Sequence, residues 1–145
     1  MTVLSLLLAL TLLAVTVLIH YEALAFTGRR LQRSSIRPRK RVLVAIFACL
    51  GAHLAEVALF AAAFAALRAI GGFGSIEGVF EPGATDFLYF SLTNYTTLGV
   101  GDAYATGALR LLVGIEALAG FLMITWSASF GYLTMQRYWH PREED

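Results

Sequence analysis

The chain has 145 residues, of which 58% are hydrophobic and only 14% are charged. A soluble domain averages about 45–50% apolar and about 25% charged residues, so this composition excludes an ordinary soluble domain. The formal net charge is +1, but seven of the eleven Lys and Arg residues lie within Arg29–Arg41. The single cysteine, Cys49, lies in a hydrophobic run, and one cysteine excludes an intrachain disulfide.

Three long hydrophobic runs cover residues 3–26, 42–67 and 109–135. Each run exceeds the roughly 20 residues that a helix needs to cross a hydrocarbon core about 30 Å thick. Because lipid offers the backbone no hydrogen-bond partners, each run is predicted to be a transmembrane helix. The predicted fold class is therefore an all-α membrane protein with three spans.

The basic residues between the first two runs predict the orientation of the chain. Lys and Arg concentrate in cytoplasmic loops, so we expect Arg29–Arg41 in the cytoplasm, the N-terminus outside and the C-terminus inside. The same residues are candidates for binding anionic lipid headgroups, each contributing about 1 kcal/mol near the surface.

The stretch between the second and third runs is too apolar for an ordinary loop. Within residues 85–96, about ten apolar and hydroxyl-bearing residues give a helix roughly 15 Å long, about half a bilayer. Such a helix can enter a membrane without crossing it, and non-helical backbone at that depth needs surrounding protein or water. The pattern predicts a re-entrant pore helix and a filter between spans two and three.

The filter is predicted from the sequence TLGVGD at residues 97–102. Alternating glycines tolerate positive φ, so such a strand can turn successive carbonyls to one side. Four copies around an axis would form stacked rings of oxygen atoms that replace the hydration shell of a cation. The C-terminal end of the preceding helix also favours a cation there. The predicted filter residues are Thr97, Leu98, Gly99, Val100 and Gly101.

Residues 89–102 resemble the pore helix and filter of the potassium-channel superfamily, especially its small two-span prokaryotic pores in the ion-channel group. The segment EALAG at residues 116–120 resembles the inner helix of that group. The resemblance implies a bacterial inner-membrane protein whose permeant ion, K+, binds the carbonyls of residues 97–100. It divides the chain into a pore domain, residues 42–145, and an additional N-terminal span with its basic loop, residues 1–41. Within the pore domain it implies an outer helix at 42–68, a pore helix at 85–96, a filter at 97–102 and an inner helix at 108–135.

One position of the filter departs from the family pattern. Val100 stands where the family has Tyr or occasionally Phe, whose ring packs or hydrogen-bonds against the pore helix. Valine packs but cannot form that hydrogen bond. Cation conduction is therefore expected, and the discrimination of K+ from Na+ is left open.

Four polar residues are candidates for supporting the filter: Thr93, Thr96, Asp102 and Glu116. Asp102 is interpreted either as an acid that concentrates cations at the mouth or as a brace, which the resemblance favours. Glu116, roughly 9 Å into the third span, is either a functional intramembrane carboxyl or a partner that locks the inner helix to the pore loop. Gly120 is either a gating hinge or a small residue that permits close helix contact.

Four further polar residues lie within the first two spans: His20, Glu22, His53 and Glu56. They indicate either a proton-sensitive or metal-binding cluster or plain hydrogen bonds between helices. Counting the helix rise from the inner face places His53 at about 16 Å and His20 at about 9 Å. Different depths are therefore expected, which favours the plain hydrogen bonds.

These features predict the pore-forming subunit of a passive cation channel. Because one chain supplies one pore loop, a C4 homotetramer is expected. The third span is expected to line the inner cavity with Trp126, Ser127 and Ser129, and the first span is expected to pack peripherally.

No catalytic or cofactor motif is recognisable, so no enzyme activity, cofactor or nucleic-acid partner is expected. The gating stimulus is left open, since no span carries Arg at every third position. One alternative is a non-conducting, channel-like membrane subunit. The other is a proton- or metal-handling membrane protein that uses His20, His53 and Glu56.

Overall fold

The computed structural model describes residues 2–139. Within this range, four helices and two short strands follow one another: α1 Thr2–Gln32, α2 Pro38–Ile70, β1 Ile76–Gly78, α3 Ala84–Tyr95, β2 Ala103–Ala105 and α4 Leu109–Trp139. The helices α1, α2 and α4 are long and apolar enough to cross a membrane, which confirms the prediction of three such helices. The predicted cytoplasmic end at residues 140–145 lies outside the described residues.

The long helices extend further than their hydrophobic runs. Helix α1 continues to Gln32 and includes Arg29 and Arg30 in its last turn, where basic side chains interact favourably with the helix dipole. Helix α2 begins at Pro38, a residue whose fixed φ suits a first helical position. The predicted basic loop therefore shrinks to residues 33–37. Long Arg and Lys side chains reach toward water from within a helix, so the helix need not end where the charges begin.

Helix α1 packs against both α2 and α4 along a single face. Its buried positions recur every three or four residues: Ser5, Ala9, Leu12, Thr16, His20, Leu24, Thr27 and Leu31. Several of these side chains are small, which lets the neighbouring helices approach closely. The Ser5 hydroxyl donates to the Ala108 carbonyl over 2.8 Å and thereby ties the start of α1 to the start of α4.

Helix α3 lies between α2 and α4 and is much shorter than either of them. Its 12 residues span about 18 Å, too little to cross a bilayer. The Phe90 ring packs edge-to-face against Phe64 of α2, with ring centroids 5.1 Å apart. Phe87 packs in the same way against Phe80 over 5.1 Å. The first contact packs α3 against α2, and the second packs it against the loop that precedes it.

The two short strands form an antiparallel pair that no sequence pattern predicted. Ile76 pairs with Ala105, and Gly78 pairs with Ala103. Gly78 has a φ of +96°, and a Cβ there would overlap the Asp102 carbonyl oxygen, so the tight pairing requires glycine. The pair joins the chain before α3 to the chain after residues 97–102, and it therefore closes the intervening segment into a loop.

Candidate functional site

The backbone of the segment that follows α3 alternates in handedness. The φ angles of Thr97, Gly99 and Gly101 are +58°, +56° and +83°. Within residues 2–139 Thr97 is the only non-glycine residue with positive φ, so φ is negative at Leu98 and Val100. Alternation of left- and right-handed conformations brings successive N–H groups to one face, and it leaves the carbonyls on the opposite face.

The N–H face of this segment is directed toward α3. The Gly99 N–H donates to the Thr93 carbonyl over 3.2 Å, and the Thr97 N–H donates to the Asn94 carbonyl over 2.9 Å. A face of carbonyls on the side away from α3 is the arrangement expected from this alternation. In the single chain the side chains flanking this face are largely uncovered, with Leu98 69% exposed.

Asp102 joins the end of this segment to α3. Its Oδ2 accepts a hydrogen bond from the Tyr89 hydroxyl over 2.8 Å, and its Oδ1 accepts from the Ala103 N–H over 2.9 Å. The bond to Asp102 raises the pKa of the Tyr89 phenol above its usual value, because a phenolate beside the carboxylate would lose that bond. One carboxylate oxygen of Asp102 is thus bonded to α3 and the other to the first residue of β2.

The two threonines predicted to support the segment use their hydroxyls within α3. Thr93 donates to the Phe90 carbonyl over 3.0 Å, and Thr96 donates to the Leu92 carbonyl over 2.7 Å. The structure nevertheless brings Thr93 to the segment, since its carbonyl accepts from Gly99. Its contribution is therefore made by the backbone.

Glu116 is completely buried where α2, α3 and α4 meet. The Ser91 hydroxyl lies 2.8 Å from the Val57 carbonyl and also contacts Glu116 Oε1. A hydroxyl carries one proton, so both contacts are hydrogen bonds when Ser91 donates to Val57 and a protonated Glu116 donates to Ser91. This position locks three helices together, one of the two roles considered for Glu116.

Gly120 allows α4 to touch the backbone of α3. A Cβ at this position would overlap the carbonyl group of Tyr95, the last residue of α3. Gly120 therefore permits close contact between α3 and α4, which is one of the two roles considered for it. Through this contact with Tyr95, α4 supports the end of α3.

A cavity of about 340 Å³ adjoins Val100 between α3, β2 and α4. Its lining includes Phe90 and Asn94 of α3 and Val113 of α4. The side chain of Val100 is too small to fill this space between residues 97–102 and α3. The cavity is therefore the place where a larger side chain at position 100 would pack.

Three of the four polar residues of the first two spans form one cluster. His20 Nδ1 lies 2.9 Å from Glu56 Oε1, and His53 Nδ1 lies 3.6 Å from Glu56 Oε2. The expectation that His20 and His53 lie at different depths is wrong, since their ring centroids are 5.1 Å apart. Helix α1 continues to Gln32, so His20 lies about 18 Å from the inner end of its helix rather than about 9 Å. Glu22 is exposed elsewhere, 3.9 Å from Arg29.

The cluster includes two residues from the pore region that the sequence analysis did not assign to it. The Tyr95 hydroxyl donates to Glu56 Oε2 and lies 2.9 Å from His53 Nδ1. Ser127 Oγ lies 3.2 Å from His20 Nε2. The signal for Tyr95 is weak, because a single aromatic residue at the end of a helix is ordinary in a membrane protein.

Two of the residues predicted to face an inner cavity face α1 instead. Ser127 contacts His20, and the Trp126 ring centroid lies 5.6 Å from that of His20. The prediction for these two side chains was therefore wrong, because α1 packs on this face of α4 and the hydropathy pattern did not reveal that contact. Ser129 is exposed, and its hydroxyl donates to the Thr125 carbonyl over 3.1 Å.

A family model described as ion channel matches residues 52–136 of the chain, which is more than half of its length. The match runs from within α2 to near the end of α4 and includes α3, the 97–102 segment, Glu116 and Gly120. Helix α1 lies outside it. No curated protein and no solved structure gives a significant match.

Proposed function

Because the chain belongs to the ion channel family, a group of small pore proteins in the potassium-channel superfamily, we propose that it is the pore-forming subunit of a tetrameric cation channel. Family membership gives passive ion transport by an integral membrane protein. The proposal adds the filter, which consists of residues 97–101, and the ion, which is K+. In this arrangement α2 is the outer helix, α3 the re-entrant pore helix and α4 the inner helix.

The alternating φ signs at residues 97–101 are the observation that carries this proposal. The Gly99 N–H is bonded to the Thr93 carbonyl of α3, and in the proposed filter the carbonyls of the segment point the opposite way. A row of carbonyls on one side of a strand is the chemistry that replaces the hydration shell of a cation. The C-terminal end of α3 adds its partial negative charge beside the same row.

The uncovered surfaces of the single chain support a homotetramer. Val100 is 55% exposed although it belongs to an apolar segment within the loop. Helix α4 also presents an exposed apolar and hydroxyl face that includes Leu118, Leu122 and Thr125. Four copies around an axis would cover the first surface with neighbouring subunits and turn the second toward a shared cavity.

K+ is the proposed permeant ion, and no cofactor is needed for its passage. The carbonyls of Thr97, Leu98, Gly99 and Val100 would coordinate it, and the Thr97 hydroxyl would add the innermost ring. Without an aromatic hydrogen bond from position 100, the filter is held by the backbone bonds to α3 and by the Tyr89–Asp102 bond. We expect this support to maintain conduction with weaker discrimination against Na+.

The proposed setting is the inner membrane of a bacterium, with the basic end of the bundle in the cytoplasm. A cavity of about 1230 Å³ between the start of α2 and the end of α4 is lined by Arg37, Arg39 and Lys40 together with Tyr138 and Trp139. Basic side chains beside interfacial aromatic rings suit an anionic lipid headgroup. Anionic lipid is therefore the proposed partner of this surface.

The test is a reversal potential in planar bilayers with K+ on one side and Na+ on the other. Gly99→Ala places a Cβ at a φ of +56° in the carbonyl row, and it should abolish the current. Gly51→Ala is the matched control, because a Cβ there meets nothing within 4 Å on α2. A current that persists in Gly99→Ala would refute the filter. No current from verified wild-type tetramers would favour the non-conducting subunit.

A further inference from the structure

Three metal-ligating side chains meet inside the helix bundle, apart from the proposed filter. His20 comes from α1, and His53 and Glu56 come from α2. One ligand atom from each residue lies within 4.8 Å of the others. We propose that these three residues form a binding site for a divalent transition-metal ion such as Zn2+. The proposal goes beyond channel function, because the site does not include the filter and does not depend on conduction.

The ligand set and its spacing suit this class of ion. Two imidazoles and one carboxylate bind Zn2+ at about 2.0–2.2 Å and leave a fourth position for water. Ligand atoms of a tetrahedral site then lie about 3.3 Å apart. The two oxygens of Glu56 already lie near this spacing from the imidazoles, with Oε1 2.9 Å from His20 Nδ1 and Oε2 3.6 Å from His53 Nδ1. The remaining pair consists of the ligand nitrogens of His20 and His53. Small side-chain rotations would bring these two atoms to the same spacing, since all three ligand atoms lie within 4.8 Å of one another.

The neighbours of the cluster match the outer shell of a metal site. Metal-bound histidines usually donate their other ring N–H to an acceptor, and metal-bound carboxylates are themselves hydrogen-bonded. Ser127 Oγ lies 3.2 Å from His20 Nε2, the nitrogen that would not bind the ion. The Tyr95 hydroxyl donates to Glu56 Oε2.

Burial gives the cluster a reason to hold a cation. The side chains of His20 and Glu56 are fully buried, whereas that of His53 is 17% exposed. A carboxylate in the interior of a membrane protein needs a positive partner, and a divalent ion supplies one. The exposed edge of His53 provides a route by which the ion can enter.

The position of the cluster links the ion to the pore unit. Tyr95 is the last residue of α3, and Thr97 begins the proposed filter two residues later. An ion held by His20 and Glu56 would therefore fasten α1 to α2 and, through Tyr95, to the end of α3. His20 on α1 lies outside the family match, whereas His53 and Glu56 lie within it, so the site would join this chain's additional helix to its pore unit.

The experiment is equilibrium dialysis of the purified, detergent-solubilised full chain against Zn2+, with bound metal measured by mass spectrometry. We expect one saturable ion per chain. His20→Gln, His53→Gln and Glu56→Gln should each abolish this binding, and Ser127→Ala should weaken it about 10–100-fold. The control Glu22→Gln makes the same substitution at an exposed residue that the cluster does not include, and it should leave the stoichiometry unchanged.

The wild-type chain decides the outcome even where a variant fails to fold. X-ray absorption at the zinc edge should show two imidazole nitrogens and a carboxylate oxygen around the bound ion. Absence of saturable binding, or unchanged binding in all three cluster variants, would overturn the site. Neither measurement records a current, so failure of the metal site and failure of the channel are distinguished.

Discussion

At the scale of single residues, the conformation of Thr97 is the costliest feature of the proposed filter. A β-branched residue rarely adopts a φ of +58°, and such strain costs about 1–3 kcal/mol. The structure retains it because Thr97 both continues the alternation of φ signs and donates its N–H to Asn94. Glycine would relieve the strain, but it would also remove the hydroxyl proposed as the innermost ligand ring.

Position 100 provides the first prediction at this scale. Val100→Tyr should raise the preference for K+ over Na+, because the ring can enter the cavity of about 340 Å³ behind the segment and reach α3. A filter backbone that the ring packs firmly against α3 should distinguish K+ from Na+ better than the wild-type filter. The measurement is the shift in reversal potential between K+ and Na+ solutions.

Val100→Phe and Val100→Leu are the matched controls for that change. Phe adds the ring without a hydroxyl, and Leu adds only aliphatic volume. We expect selectivity to increase in the order Val, Leu, Phe, Tyr if packing and hydrogen bonding both contribute. A reversal potential that is identical in all four proteins would contradict the role assigned to the cavity.

At the scale of elements, the crossing of α4 behind α3 provides a second prediction. Gly120→Ala should destabilise the protein by about 1–3 kcal/mol, because the added Cβ meets the rigid backbone of Tyr95. Gly114→Ala on the same helix is the control, since a Cβ there meets nothing within 4 Å. It should stabilise the protein by about 0.4–1 kcal/mol.

The measurement is the free energy of unfolding of both variants in mixed detergent micelles. The sign of the difference between them is the critical result. If both substitutions were stabilising, α4 would not contact the end of α3 as closely as the structure has it.

The elements that the sequence predicts well are those with a long-range pattern in composition. Hydropathy and length predict the three long helices, and the half-length apolar stretch predicts α3 at 85–96, where the structure has Ala84–Tyr95. The β1–β2 pair has no such pattern, because its strands have three residues each. It depends on glycines that permit close backbone contact, and that contact is visible only once the chain is folded.

The candidate site was predictable only where the chemistry is local. The glycines at 99 and 101 indicate alternating backbone conformations, because glycine tolerates positive φ. The meeting of His20 with Glu56 depends on where α1 ends and how it packs, and neither follows from hydropathy. An error of about six residues at the end of α1 shifts His20 by about 9 Å along the helix axis and was enough to separate the two histidines.

At the scale of the whole molecule, the number of subunits that share one pore provides the third prediction. Native mass spectrometry of the solubilised protein should give about four times the 15.8 kDa of one chain. If wild-type and Gly99→Ala chains are mixed equally before assembly and one defective filter strand blocks conduction, about 6% of tetramers conduct. A dimeric pore would retain about 25%.

The control mixes wild-type chains with Gly51→Ala chains, which should leave the current unchanged. A residual current near one quarter, or a mass of two chains, would exclude the four-fold filter. These two measurements are independent, because the mass is obtained whether or not the protein conducts.

The close contact at Gly120 also has a mechanical consequence. The part of α4 that precedes Gly120 is fixed against α3, so any bending of α4 must occur at Gly120 or after it. Residues 121–139 then act as a lever about 28 Å long. A bend of about 10° there would displace Trp139 by about 5 Å, roughly one helical turn. Helix α1 contacts this lever through His20 and Ser127, and Gly28 lies beside Phe130. The additional span is therefore positioned to transmit or resist that displacement.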